Sequence, residues 1–297
     1  MAKAEKLART VRVFEEPPKW GVRDELADFE GRPSRDLYFS GADGNPDYDA
    51  LFQHYDIKPS FREKVANLSN PGVLESNVDE PLEINWVTSA DILAARAGKI
   101  PSDSFFQLAA IGVTITSDNQ VLVGFRGRDA TPEKVDRFAS GLYGCPPGGS
   151  VTFKPGYETD PITDTILGEF EEEVGNFRIL DQRPIGVFEA FKPGPTGLKF
   201  VNYLTTQASL ASIQRENIKA NRIYNSLRAE GASKEVAKAN LGNRGLPRDA
   251  WEHFPIIGFP NDPDALEHTV EAQPQAFSGI GAGALLLYAE HLRNRQG

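Results

Sequence analysis

The sequence predicts an α/β protein, and three observations predict it. Two segments carry the residue pattern and turn chemistry of β-hairpins, a well-capped amphipathic helix lies between them, and a second amphipathic helix closes the chain. A length of 297 residues gives room for one large domain or two modest ones with a substantial core.

Residues 1–100 are rich in Pro, Gly and Asp ("EEPPKW", "GADGNPDYD", "LSNPGV") and show little sustained apolar period. Short helices are expected near 61–68 and 88–97, within an otherwise irregular extension that leans on its neighbour. From residue 101 a second unit is expected to run to the C-terminus. Its first hairpin is "IGVTIT", the turn Ser117-Asp118-Asn119, and "VLVGFR", with β-branched residues on both arms. A polar loop, "DATPEKVDRFASGLYG", leads to Pro146-Pro147-Gly148-Gly149. The helix after it has Asp160 as N-cap and Pro161 at its first position. Ile162, Ile166, Phe170 and Val174 recur every four residues as a buried stripe with Leu167 beside it, and Gly175-Asn176 ends the helix. "RPIGVFEAF" and "LKFVNYLTT" flank "KPGPTG" as a second hairpin. About 210–245 reads as an inserted, highly charged helical pair, "WEHFPIIGF" as extended chain, and "GALLLYAEHLRNR" as the closing helix.

Composition excludes several classes of function. The apolar share of 40% and charged share of 25% are those of a soluble globular protein. A net charge of -10 argues against a broad electrostatic grip on nucleic acid or anionic membrane. Cys145 is the single cysteine, which removes any intrachain disulfide or Cys-based zinc cluster and points to a buried thiol. The four histidines are scattered, "GIGAG" at 279–283 reads as close packing at a helix start, and no secretory or membrane-spanning run is seen. The cytoplasm is the expected compartment.

The stretch that demands explanation is "GEFEEEVGN". On a regular helix Glu169, Glu172 and Glu173 converge on one face while Glu171 points elsewhere. Each like-charge pair costs about 0.2–0.5 kcal/mol in water, and the negative end of the helix dipole adds to the cost. Mg²⁺ or Mn²⁺, which take hard oxygen ligands, would turn that repulsion into binding.

Taken with the glycine pair upstream, this stretch resembles the Nudix hydrolase family. The family's box runs Gly, five residues, Glu, seven residues, then Arg-Glu-apolar-x-Glu-Glu-x-Gly-apolar. Glu169, Phe170, Glu172, Glu173 and Gly175 match its second half, and "PPGG" resembles its opening. The resemblance covers about 105–206 and implies an α/β/α sandwich, here with an N-terminal extension and an inserted helical pair. There are departures. Gly168 stands where the family has an Arg that orients the neighbouring catalytic Glu, Asn176 replaces an apolar residue, and Gly149 to Gly168 is five residues longer than the family spacing. Backward counting puts Asp160 at the first acidic position, with Glu158 as its rival.

The resemblance implies hydrolysis of the P–O–P bridge in a nucleoside diphosphate-linked small molecule, with ADP-ribose or a nucleotide sugar favoured. Gly149, Glu169, Glu172 and Glu173 would hold Mg²⁺ or Mn²⁺. Glu169 and Glu172 would be catalytic, and the general base is Glu169 or a later acid: Asp249, Glu252 or Glu267. Arg126, Arg128, Lys134 and Arg137 crowd the strand end and loop before the glycine pair and could grip phosphate oxygens. Pro193, seventeen positions beyond Asn176, nearly matches a proline of ADP-ribose-cleaving relatives. Relatives also commonly pair through N-terminal segments, so a homodimer is expected. A second reading stands beside catalysis: a Nudix-fold module that binds a nucleotide as a sensor without hydrolysing it.

Overall fold

The computed structural model describes residues 8–29, 32, 47–56, 63–76, 80–103, 105–127, 141–153, 160–190 and 196–296. Among these, eleven strands join in one mixed sheet. They are β1 (Ala8–Val13), β2 (Trp20–Leu26), β3 (Lys64–Leu68), β4 (Leu82–Thr88), β5 (Phe106–Ile115), β6 (Gln120–Arg126), β7 (Tyr143–Gly144), β8 (Gly148–Ser150), β9 (Ile179–Ala190), β10 (Thr196–Thr206) and β11 (His253–Pro260). The order is β1-β9-β10-β5-β3-β4-β2, with β8 on β5 and with β6 leaving β5 to pair β7 and β11. The helices are α1 (Tyr48–Tyr55), α2 (Ser89–Arg96), α3 (Pro161–Glu169), α4 (Leu210–Ala229), α5 (Lys234–Asn243), α6 (Pro263–Ala272) and α7 (Gly279–Gln296).

Strand β5 is the hub because its run "LAAIGVTI" is apolar or small enough to be covered on both faces. It pairs β10 in parallel, from Phe106 opposite Thr196 to Ile115 opposite Thr205. Side chains then alternate between two cores. Leu108, Ala110, Leu122, Phe200 and Leu204 meet the α3 stripe of Ile162 and Ile166, together with Phe170 and Val174 beyond it. Ile111, Val113, Val121, Val123 and Val201 meet Leu266 and Val270 of α6 and Leu285 and Tyr288 of α7. Helices therefore cover both faces of the sheet, the α/β/α layering that the resemblance implies.

The first expected hairpin forms, β5 and β6 closing through Asn119, which has φ 57, and the arms of the second pair antiparallel as β9 and β10, residues 191–195 of its connection lying outside the described residues. Helix 88–97 is observed as α2, with a capping box between Thr88 and Asp91. Residues 61–68 are a correction. They were expected to be helical, but Lys64–Leu68 is strand β3, paired to β4 and β5. Val65, Ala66, Asn67 and Leu68 are all buried there, so local helix preference yields to tertiary coverage on both faces. Nor is the remainder of the first hundred residues simply irregular. Strand β1 lies along β9, and β3, β4 and β2 extend the opposite side of the sheet. Leu167, expected beside the buried stripe, is exposed. Helix α6 went unread in the sequence, although Asp262 and Pro263 cap it just as Asp160 and Pro161 cap α3.

Helices α4 and α5 form the expected inserted pair, joined through Gly231 at φ 89 and capped by Ser209 and Ser233. They enclose a small core of Ala220, Tyr224, Ala237, Leu241 and Trp251. The last of these belongs to the segment that returns to the sheet.

Candidate functional site

The acidic helix begins as the sequence requires. The Asp160 side chain accepts hydrogen bonds from the Ile162 and Thr163 amides at 3.0 and 3.1 Å. That role places Asp160 at the start of α3, nine positions before Glu169. After Glu169 the helix widens into a π turn, Phe170–Val174, and Gly175 closes it at φ 131 by donating to the Phe170 carbonyl at 2.9 Å. A π turn closes i→i+5 and so rotates later residues away from the α register. Glu173 is consequently buried beside Phe170 and Val174, only 2% exposed, while Glu172 stays at the rim.

The glycine turn meets this helix end. Strand β8 pairs antiparallel with β5, Gly148 opposite Ile111 and Gly149 opposite Ala110. Gly148 N–H donates to Glu173 Oε2 at 3.1 Å. A Cβ on Gly149 would lie 2.7 Å from the Glu169 carboxyl carbon, so that side chain rests directly on the glycine backbone. The two ends of the lengthened motif therefore come together. Residues 154–159 between them, with Glu158, lie outside the described residues, as do Arg128, Lys134, Arg137 and Pro193.

The third wall is the segment 248–253. Arg248 pairs with Glu172 Oε1, and the Asp249 amide donates to the Glu172 carbonyl at 2.7 Å. Glu252 Oε2 lies 3.7 Å from Arg126 Nη2, and His253 Nε2 lies 3.6 Å from Glu173 Oε2. Gly124 makes room for His253, since a Cβ there would sit 2.6 Å from the histidine Cβ. Of the three later acids considered from sequence, Glu252 reaches the site with its carboxylate, whereas Asp249 reaches it through its backbone amide, its carboxylate being held by Lys238 and Trp251. Glu267 instead pairs with Arg293, joining α6 to α7.

Burial dominates the electrostatics. It raises the Glu173 carboxyl well above the ordinary range, and the charges of Glu169 and Glu252 raise it further; Arg126 and the Gly148 amide partly offset them. Burial also raises Glu252. For His253, burial and then the Arg126 charge push the imidazole down to about 3. The site thus gathers carboxyl groups that a proton or a cation would stabilise, next to a neutral histidine. The folded value of His253 lies below the unfolded value of about 6.5, so its contribution is full above that pH and is lost as the solution is acidified. Stability is expected to fall by about 2 kcal/mol from this residue between pH 6.5 and 5. Urea titrations of wild type and His253→Gln would check it, with the slope flattened in the variant.

Among the described residues, no three His, Cys, Asp or Glu side chains already stand as a metal-ligating group. The donor chemistry nevertheless suits a hard divalent cation: Glu169 and Glu173 meet at the glycine turn, and their mutual repulsion is what such an ion relieves. Glu172 would have to share or release Arg248 to join them. Arg126 stands inside the site with its buried Nε lacking a hydrogen-bond partner. Arg248 and His253 were missed from the sequence, because nothing in local spacing connects them to a helix some 80 positions earlier.

Cys145 is buried, with its thiol pushed up to about 12 by desolvation, as expected for packing rather than chemistry. The "GIGAG" glycines pack closely: a Cβ on Gly281 would lie 2.7 Å from the Tyr143 carbonyl oxygen. No described helix is long and apolar enough to cross a membrane.

No family model matches the sequence, and no curated protein matches it. Solved structures do resemble it. The pyrophosphohydrolase BsRppH of Bacillus subtilis is 14% identical over 63% of this chain and 81% of its own, at a TM-score of 0.34. The MutT protein of Methanosarcina mazei is 13% identical over 65% and 96%, also at 0.34. The Nudix domain of Shewanella oneidensis NrtR, solved with ADP ribose, is 13% identical over 71% and 100%, at 0.29.

Proposed function

We propose that the chain is a divergent Nudix hydrolase that cleaves the diphosphate linkage of a nucleoside diphosphate joined to another group, ADP-ribose or a nucleotide sugar being favoured. One observation carries the reading: Glu169 and Glu173 are both seated on the Gly148-Gly149 turn. The gap between Gly149 and Gly168 is five residues longer than in the family's box, so this meeting is not imposed by matching spacing. Gly149, Glu169, Glu172 and Glu173 would hold Mg²⁺ or Mn²⁺, which when bound neutralises the diphosphate and acidifies the attacking water.

The chain's own groups supply the rest. Glu169, against the glycine turn, and Glu252, whose carboxyl burial raises above its ordinary range, would be the groups to take a proton from water. Arg126, beside Glu252, is the described cation placed to meet a phosphate oxygen. The sensor reading is favoured by Gly168 and by the Arg248 pairing of Glu172, and the same experiments separate the two.

Purified protein with Mg²⁺ or Mn²⁺ should turn over at least one of ADP-ribose, nucleotide sugars, dinucleoside polyphosphates or NADH, with large losses in Glu169→Gln and Glu172→Gln. A nucleotide that raises Tm without turnover would favour the sensor. The cation alone should also raise Tm, its binding adding about 2.7 kcal/mol of stability at 100 times its Kd. At one fixed cation concentration the gain should be larger at pH 8 than at pH 5.5, because carboxylate ligands must be ionised. A cation effect independent of pH would sink the ligand set.

A further inference from the structure

We infer that Arg248 is a positioning residue for Glu172, and that the inserted helical pair is the scaffold that sets it; this rests on the hydrolase reading above. Two consecutive residues hold one glutamate. Arg248 takes the Glu172 carboxylate at Oε1, and the Asp249 amide takes its backbone carbonyl at 2.7 Å. Fixing Oε1 restricts where Oε2 can point. Without the guanidinium, the carboxylate loses the partner at Oε1 and can turn toward solvent.

The segment bearing Arg248 is itself held from the insertion. Asn217 Nδ2 on α4 donates to the carbonyls of Ala250 and His253 at 3.1 and 3.2 Å, and Asn221 Nδ2, one turn on, reaches Ala250 at 3.0 Å. Both asparagines are buried. Trp251 stacks on Tyr224 with ring centroids 5.3 Å apart and donates to Asp249 Oδ1 at 3.0 Å. Lys238 of α5 pairs with Asp249 Oδ2 at 2.7 Å. The insertion thus acts as a wall of the site that delivers one arginine to the acidic turn. Arg248 is half exposed, so replacing it leaves the core intact.

The test is a double-mutant cycle on the full chain with Arg248→Met, Arg248→Lys, Glu172→Gln and the Met/Gln pair. Arg248→Met should lower kcat about tenfold with KM within twofold and unchanged Tm, and Arg248→Lys should recover most of the loss. The Met change should have no further effect in the Glu172→Gln background. Mn²⁺ binding, followed by electron paramagnetic resonance without substrate, should weaken about threefold in Arg248→Met, while the pair should bind no more weakly than Glu172→Gln alone. Additive losses, unchanged kcat and Mn²⁺ affinity, or Mn²⁺ binding that tightens because the arginine competes with the ion would each overturn the role alone. Wild type that neither binds Mn²⁺ nor hydrolyses any substrate would overturn the hydrolase reading, and this role with it.

Discussion

Gly149→Ala is expected to lower kcat/KM by about 100-fold or more while the protein remains folded. The added Cβ would lie 2.7 Å from the Glu169 carboxyl carbon and 3.0 Å from its Cγ, so both atoms must move. They belong to the outer part of a flexible side chain, which can swing away at small cost to the fold. The carboxylate then leaves the glycine turn, and a displacement of about 1 Å in a catalytic group can cost about 100-fold. Steady-state kinetics with a Tm measurement would check it: a large rate loss at nearly constant Tm is the expected pair. Near-normal rates would show that the contact between Gly149 and Glu169 has no part in the chemistry.

Phe170→Ala is expected to destabilise the fold by about 3–5 kcal/mol, the usual cost of emptying a large buried aromatic site. Phe170 is 2% exposed and begins the π turn between Glu169 and Glu172, packed with Ile166, Val174 and strand residues such as Leu122 and Phe200. Total stabilities of domains run about 5–15 kcal/mol, so the loss is a large share. Urea denaturation at neutral pH would measure it, and a change under about 1 kcal/mol would remove Phe170 as the anchor of the acidic helix. Activity should fall in the same variant, since the turn that presents the glutamates loses its buried side.

The caps and apolar stripe of α3 were legible because they depend on neighbours within one or two turns: Asp160, Pro161, and apolar residues at every fourth position. The hairpins were legible for the same reason, each joining strands close in sequence. The π turn was not. Its register follows from packing Phe170 and Val174 against the sheet while Glu173 takes the Gly148 amide, and no local pattern encodes that contact. Residues 61–68 misled because the local pattern around "KVANL" reads as helical, and pairing with β4 and β5 made it a strand.

By itself the sequence determined the α/β class, the capped acidic helix, the glycine turn and the helical insertion, since each is written in short-range periodicity and turn chemistry. Only the tertiary structure decided that Glu172 faces Arg248, that Glu173 is buried beside His253, and that strands from the first hundred residues extend the sheet. Those outcomes depend on pairings between distant segments. Their free energy comes from burial and from charges brought together by the whole fold, and residue spacing alone carries no record of either.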